Sequence, residues 1–227
     1  MVWYPQREIE GVLAYRRVDM KFITNRIIVN IRGTNGSGKS SIPLSMLDDP
    51  KQFIVKKPYK GKQIKILTVF PTYNWVALGA YEEGKTCGGM DTLPNNELTQ
   101  KAFWYALRKY PEYNLLMEGI IASTIYSTYA KLFAETQTKY PDTKVVVLHL
   151  TPGLHTCLKR IQHRNGGKPI KENLVADKIK AIDRAVDKFE PEVKVIKWNN
   201  TGSMKKYRHQ KLIYQVEEII EDNIIPF

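Results

Sequence analysis

The sequence predicts an α/β fold with a largely parallel sheet flanked by helices, and three observations support this. Apolar segments alternate with amphipathic helical segments along the 227 residues, the pattern of successive β-α units. The apolar run 27–31 is typical of a buried strand, and a glycine-rich segment follows it directly. The run at 144–150, KVVVLHL, has the strongest β character in the chain.

The other elements follow in order along the chain. We expect strands at 64–70, 114–117 and 194–198, and helices after the glycine-rich segment and at 97–109, 124–139, 154–163, 172–189 and 205–222. Residues 164–169, RNGGKP, should form a mobile loop. Without an internal repeat or a linker, residues 1–227 should form a single domain, in which 1–25 add an N-terminal β segment.

The glycine-rich segment 33–40, GTNGSGKS, fits the pattern G-x-x-x-x-G-K-[ST]. Its glycines let the backbone wrap a polyphosphate with inward-pointing N–H groups, at the positive end of the next helix. Lys39 should reach the β- and γ-phosphates, and the hydroxyl of Ser40 should hold Mg²⁺. The alternative is a glycine-rich turn that matches by chance. We expect ATP or GTP to bind to Gly33, Thr34, Asn35, Gly36, Ser37, Gly38, Lys39, Ser40 and Ser41.

Composition narrows the class of protein further. The chain carries 35 Lys and Arg against 23 Asp and Glu, a net charge of +12, which favours a polyanionic partner or simply a solvated basic surface. Cys87 and Cys157 form no C-x-x-C motif, so neither a disulfide framework nor a zinc site is indicated. No apolar stretch is long enough to span a membrane, and the N-terminus lacks a signal-peptide pattern. We therefore expect a soluble cytoplasmic protein.

From Arg26 onward, most of the chain resembles the thymidylate kinase group of P-loop kinases. Three segments carry the resemblance: the P-loop, the segment 115–124 with Glu118 at its strand end, and 158–164, LKRIQHR. The resemblance implies a fold of the P-loop nucleoside or nucleotide kinase type, with a lid at about 160–170. In this lid Arg160 and Arg164 would close over the transferring phosphoryl group, although a basic helix face would look the same. It also implies that Asn199 and Asn200, after the last strand, lie near the adenine, unless they form a simple turn.

Two positions depart from that group. Asn35 stands where an Asp usually contacts the acceptor's 3′-hydroxyl, and Gly119 stands where an Arg usually binds the acceptor's phosphate. A nucleotide inside a strand has its 3′-oxygen in a phosphodiester, and an anion at 35 would repel that phosphate by about 1 to 4 kcal/mol. The segment 82–91, with Gly-Gly-x-Asp at its end, resembles a viral branch that phosphorylates 5-hydroxymethyl-deoxyuridine within DNA. The resemblance implies this reaction, with ATP as donor and modified DNA as substrate, as a step in thymine hypermodification of a viral genome.

The acceptor would be a primary alcohol, which benefits from a nearby carboxylate base. Asp91 follows Gly88 and Gly89 in a loop that should be flexible, and we favour it as the base; its alternative role is to cap a turn or helix. Glu118 ends a buried strand at the edge where α/β sheets place ligands, and should belong to the Mg²⁺ shell. Which of the two acids is the base stays open.

DNA contact is plausible at two basic stretches, 56–62 and 205–209, each of which could instead be a solvated face. A target base should be flipped out of the strand and stacked on Tyr73, Trp75 or Tyr126, unless these aromatics belong to the core. The sequence predicts neither the oligomeric state nor a preference for single or double strands.

Two other functions remain open. One is a kinase acting on free pyrimidine nucleosides or nucleoside monophosphates, which the residues at 35 and 119 argue against for thymidylate. The other is a DNA-binding P-loop NTPase that uses hydrolysis as a switch; its expected Walker-B strand is matched only loosely by 115–118, LLME.

Overall fold

The computed structural model of the protein describes residues 26–85, 88–201 and 212–224, and for 223 and 224 the backbone alone. The predicted N-terminal β segment at 1–25, the basic stretch at 205–209 and Cys87 lie outside the described residues.

The described residues form one seven-stranded sheet in the order β2-β3-β4-β5-β1-β6-β7. The strands are β1 Ile27–Arg32, β2 Phe53–Tyr59, β3 Lys62–Phe70, β4 Trp75–Leu78, β5 Asn114–Glu118, β6 Lys144–Leu150 and β7 Lys194–Trp198. From β4 to β7 all neighbours are parallel, whereas β3 runs antiparallel to both β2 and β4. The predicted α/β fold with a largely parallel sheet is confirmed.

Seven α-helices accompany the sheet within the described ranges. They are α1 Ser41–Leu44, α2 Asn96–Lys109, α3 Ile120–Thr124, α4 Ser127–Lys139, α5 Leu154–Arg164, α6 Glu172–Asp187 and α7 Leu212–Ile224. Short 3-10 turns lie at Pro71–Tyr73 and Gly89–Thr92. In the parts of the chain that the structure describes, no helix is long and apolar enough to span a bilayer.

The sheet is covered on both faces, and side chains of the interior strand β1 alternate between two cores. Ile28 belongs to a core built with residues of α2, α4 and α6, such as Phe103 and Phe133. Val29 belongs to a second core, which contains Val216 of α7. This three-layer packing fixes the carboxyl ends of β1, β5 and β6, and the functional site lies at that edge.

Some elements differ from the sequence predictions. The strands β2 and β4 were not expected. Strand β2 carries two lysines and a proline, residues that suit an edge strand, and β4 has only four residues. The helix after the P-loop is a single turn rather than a full helix. Beyond that turn, Asp49 accepts hydrogen bonds from the backbone N–H group of Lys51 and from that of Thr72, which lies in the 3-10 turn after β3. The helix expected at 124–139 begins three residues later, as α4, and a separate short helix, α3, precedes it.

Candidate active site

The P-loop connects β1 to α1 and curls beneath α5. Gly36 has φ +74°, and a Cβ atom there would lie 2.5 Å from the carbonyl oxygen of Cys157, so the tight contact with α5 requires glycine. The hydroxyl oxygens of Thr34 and Ser37 are buried and have no hydrogen-bond partner among the described residues. Such hydroxyls fit a loop that binds phosphate oxygens.

Lys39 is buried beneath the P-loop. Its Nζ donates to the carbonyl oxygens of Gly33 at 2.8 Å and Thr34 at 3.1 Å. Burial lowers the pKa of Lys39, while the nearby carboxylates of Glu118 and Asp91 oppose that shift. The site therefore holds a buried amine at the P-loop whose charge is supported by two acidic side chains.

Glu118 is buried at the carboxyl end of β5. Its Oε1 accepts hydrogen bonds from Ser40 Oγ at 3.0 Å and from Tyr81 Oη at 2.9 Å. Burial raises the pKa of Glu118, whereas Lys39 and the two hydroxyl donors act in the opposite direction. The serine and glutamate oxygens form the hard-oxygen pair that suits Mg²⁺ when substrate phosphates complete its coordination. Sequence reasoning missed Tyr81, because nothing in its local pattern indicates that its hydroxyl reaches Glu118.

Asp91 lies in the 3-10 turn Gly89–Thr92 and caps the start of α3. Its Oδ2 accepts from the N–H of Ile120 at 2.7 Å, and its Oδ1 accepts from the N–H of Ile121 at 3.4 Å. The capping role named as an alternative is therefore present, although the cap serves a helix from a distant segment. These two bonds fix the carboxylate beside the end of β5.

The paired glycines before Asp91 allow close packing. Gly89 has φ +76°, and a Cβ there would lie 2.4 Å from Oε1 of Glu118. A Cβ at Gly88 would lie 2.5 Å from the Tyr81 ring. The glycines therefore let this turn pack directly against Glu118 and Tyr81.

Arg160 and Asn200 tie two other segments to the P-loop. Arg160 of α5 donates to the carbonyl oxygens of Gly36 at 3.2 Å and Asn200 at 2.9 Å. Asn200 is buried after β7, and its Nδ2 donates to the carbonyl of Ser37 at 2.6 Å. Asn199 is exposed, and its Oδ1 accepts from the N–H of Thr201 at 3.1 Å, so it forms the simple turn named as the alternative.

These elements surround a cleft of about 600 Å³. All the predicted catalytic residues line it, namely Lys39, Asp91, Glu118, Arg160 and Arg164, together with most of the predicted P-loop residues. Lys85 and Ile120 also line it and were not anticipated. The structure thus brings together side chains that are up to 130 positions apart in sequence, from Thr34 to Arg164.

The three aromatic candidates for base stacking do not line this cleft. Trp75 is fully buried, and its Nε1 donates to Glu217 at 2.8 Å, so its proposed role in stacking was wrong. Tyr73 packs against Tyr214, and Tyr126 packs against Phe189. The large aromatics serve packing here, which was the alternative considered.

The fold and the site define an α/β protein of the P-loop class: a phosphate-binding loop, a buried lysine, a serine–glutamate pair and two arginines line one cleft. A family model described as 5-hmdU DNA kinase matches residues 11–199. The chain belongs to the 5-hmdU DNA kinase family.

Three phage proteins illustrate the similarity. The chain is 41% identical over 182 residues to the 5-hmdU DNA kinase of Bacillus phage SP10, a match that covers 78% of this chain and 27% of the relative. It is 37% identical over 152 residues to 5-hmdU DNA kinase 1 of Salmonella phage ViI, covering 65% and 64%. It is 32% identical over 164 residues to the 5-hmdU DNA kinase of Pseudomonas phage M6, covering 70% and 83%. The matched region therefore spans about a quarter of the SP10 protein and less than two thirds of the ViI protein.

Proposed function

We propose that the chain transfers the γ-phosphoryl group of ATP, with Mg²⁺, to the 5-hydroxymethyl group of 5-hydroxymethyluracil in DNA. The observation that carries the proposal is the convergence of Lys39, Asp91 and Glu118 on one P-loop cleft, in a chain of this family. The relatives' names supply the acceptor, and the cleft supplies the chemistry.

The donor nucleotide would lie along the P-loop. Backbone N–H groups and the hydroxyl of Thr34 would bind its phosphate oxygens, and Lys39 would contact the β- and γ-phosphates. Ser40 and Glu118, which already contact each other at 3.0 Å, would hold Mg²⁺. The metal would neutralise charge on the transferring group.

The reaction moves one phosphoryl group and one proton. The hydroxymethyl oxygen attacks the γ-phosphorus, the bond from that phosphorus to the β,γ-bridging oxygen breaks, and ADP leaves. Asp91 would accept the hydroxyl proton. Its two amide hydrogen bonds orient the carboxylate, and each oxygen keeps a second lone pair for the substrate.

The positive wall of the cleft would stabilise the charge that spreads over the phosphoryl oxygens. Arg160 and Arg164 lie one helical turn apart on α5, and both line the cleft. The lid role of 160–170 is part of this proposal: the turn 165–167 after α5 would let the segment adjust around the nucleotide.

Three features favour an acceptor inside DNA over a free nucleotide. The net charge of +12 suits a polyanion. Asn35 lines the cleft as a neutral side chain, so it would not repel a 3′-phosphodiester. Gly119 leaves no arginine to bind a terminal acceptor phosphate.

A substrate panel tests the proposal. The protein is incubated with γ-labelled ATP and one of three acceptors: an oligonucleotide containing 5-hydroxymethyluracil, the same oligonucleotide with thymine, or free pyrimidine nucleosides and monophosphates. After digestion, mass spectrometry should find a phosphomethyl-deoxyuridine product only from the modified oligonucleotide, and Lys39→Ala should abolish it. Label on free nucleotides alone would establish the free-nucleotide kinase instead. DNA-stimulated release of phosphate without transfer would establish the NTPase switch.

A further inference from the structure

A second cavity, of about 770 Å³, lies beside the catalytic cleft. One wall is the β2–β3 hairpin, with Tyr59, Lys60 and Lys62, and the other is the segment 80–94 that contains the glycine turn. We call this cavity the hairpin groove. Its position, charge and floor point to a function.

The hairpin extends past the edge of the sheet at which the catalytic cleft opens. Leu67 of β3 pairs with Leu78, the last residue of β4, and β3 runs antiparallel to β4. Residues 62–66 therefore continue beyond the carboxyl end of β4, a distance of about 17 Å at the rise of an extended strand. The hairpin groove accordingly lies on the substrate side of the sheet.

The groove and the cleft adjoin each other. Lys85 lines both cavities. Within the following segment, Gly88 and Asp91 line the cleft, whereas Thr92 and Pro94 line the groove. A polymer whose reacting residue lies at Asp91 can continue into the groove across this shared segment.

The charge of the groove suits phosphates. Its lining contains Lys60, Lys62, Lys65 and Lys85 against one acid, Glu82. Glu82 pairs with Lys65 at 2.5 Å. Within the described ranges no carboxylate lies within salt-bridge distance of the other three lysines, so their charges remain available to a polyanion.

The floor of the groove suits a base or sugar. Tyr59, Ile64 and Pro94 supply apolar surface between the lysines. The hydroxyl of Tyr59 accepts a hydrogen bond from Nδ2 of Asn95 at 2.8 Å, which holds the ring in place. A fixed aromatic ring flanked by lysines is the usual arrangement for binding single-stranded nucleic acid.

We propose that the hairpin groove binds the DNA segment that adjoins the target nucleotide, with Lys60 and Lys62 on its phosphates and Tyr59 against a flanking base. The proposal rests on the proposed function and adds to it the path of the strand. The basic stretch 56–62 thus divides between two faces: Lys57 stacks on the ring of Tyr105 at 4.4 Å and does not line the groove.

The test compares two double variants with the same loss of charge. Lys60→Asn with Lys62→Gln removes the groove lysines, and asparagine suits the left-handed backbone at position 60, where φ is +47°. Lys144→Asn with Lys194→Gln is the control, because both lysines are exposed at the amino ends of β6 and β7, on the opposite edge of the sheet. Circular dichroism and thermal melting would first be used to check that both variants are folded.

Binding to a labelled single-stranded 15-mer with one 5-hydroxymethyluracil is measured at several salt concentrations, together with kinetics for ATP and for DNA. The groove variant should lose at least about tenfold in DNA affinity, and its slope of log K against log salt should be shallower by about 0.7 for each lysine removed. Its KM for DNA should rise while its KM for ATP stays within about twofold. Tyr59→Leu should weaken DNA binding without changing the salt slope.

The outcomes separate the two proposals. If wild-type protein phosphorylates the oligonucleotide but the groove variant matches it in affinity and slope, the groove proposal is overturned and the proposed function stands. An equal loss in the control variant also overturns the groove, because the effect would then come from net charge. If wild-type protein transfers nothing to the modified DNA, the proposed function fails, and the groove proposal fails with it.

Discussion

Replacement of Gly89 by alanine should damage the site more than a matched replacement elsewhere. Gly84 and Gly89 have nearly the same backbone conformation, with φ +72° and +76°. A Cβ at Gly84 would meet nothing within 4 Å, whereas one at Gly89 would lie 2.4 Å from Oε1 of Glu118 and 2.5 Å from its carbonyl oxygen. The pair therefore separates the backbone cost of alanine from the steric cost at Glu118.

The magnitudes follow from the contacts. Alanine in a left-handed conformation costs about 1 to 2 kcal/mol at either position. At Gly89 the Glu118 side chain must also move away from Ser40 and Tyr81, and the Tyr81 hydroxyl, buried at 1% exposure, would lose its acceptor. An unsatisfied buried hydroxyl costs about 1 to 3 kcal/mol. We expect Gly89→Ala to lower the free energy of unfolding by about 2 to 5 kcal/mol, against about 1 to 2 kcal/mol for Gly84→Ala.

Urea denaturation followed by circular dichroism measures both values, and titration of activity with Mg²⁺ reports on Glu118. Gly89→Ala should need more Mg²⁺ for half-maximal transfer, whereas Gly84→Ala should match wild-type protein. Equal destabilisation of the two variants, with the same Mg²⁺ dependence, would refute the close packing of the glycine turn on Glu118.

Four further predictions each concern one side chain. Lys39→Ala should stay folded by circular dichroism, but the transition state for phosphoryl transfer should lose stabilisation on the order of several kcal/mol. A near-normal rate would contradict the P-loop assignment. Asp91→Asn keeps one oxygen that can cap α3, but it should lower kcat by roughly 10²- to 10⁴-fold with little change in the KM for ATP; an unaltered kcat would remove Asp91 from the role of base. Glu118→Gln should change the Mg²⁺ dependence, and an unaltered metal titration would remove Glu118 from the metal shell. Burial lowers the pKa of His149, whereas the Asp183 carboxylate, 3.4 Å from its Nε2, acts in the opposite direction. The folded state therefore favours the neutral imidazole, while the unfolded state takes up a proton below pH about 6.5. The stability that His149 contributes is complete above that pH and is lost as the pH falls, by at most about 1.4 kcal/mol per pH unit. Urea denaturation between pH 7 and 5 should therefore show a shallower decline in the free energy of unfolding for His149→Gln than for wild-type protein.

The parallel part of the fold could be predicted because its signals are local. The strand 194–198 has the predicted bounds, and α5 differs from its prediction by one residue, since buried parallel strands and amphipathic helices are continuous patterns. The hairpin strand β2 could not be predicted in the same way. Phe53–Tyr59 is an edge strand with only partly buried residues, so its sequence resembles that of a solvated basic segment.

The residues of the cleft were predictable to different degrees. The P-loop is a contiguous motif, and its residues are found by spacing alone. Tyr81 and Lys85 have no such motif, because their roles depend on how the segment after β4 folds back over Glu118 and towards the hairpin. The stacking role predicted for Trp75 was wrong for a related reason. The four-residue strand β4 was not expected, and a strand inside the sheet buries its side chains on both faces.

Gly119 shows what a departure from a family pattern means physically. In the sequence it marks the absence of an arginine that would bind an acceptor phosphate. In the structure a Cβ at this position would lie 3.0 Å from Oδ1 of Asp91 and 3.3 Å from Cβ of Met90, so a side chain there would require the glycine turn to shift by a few tenths of an ångström. Asp91 accepts the N–H of Ile120, so its carboxylate lies directly against position 119. The Gly-Gly-x-Asp turn and Gly119 therefore pack against each other, and an arginine at 119 would have to displace the turn that carries Asp91.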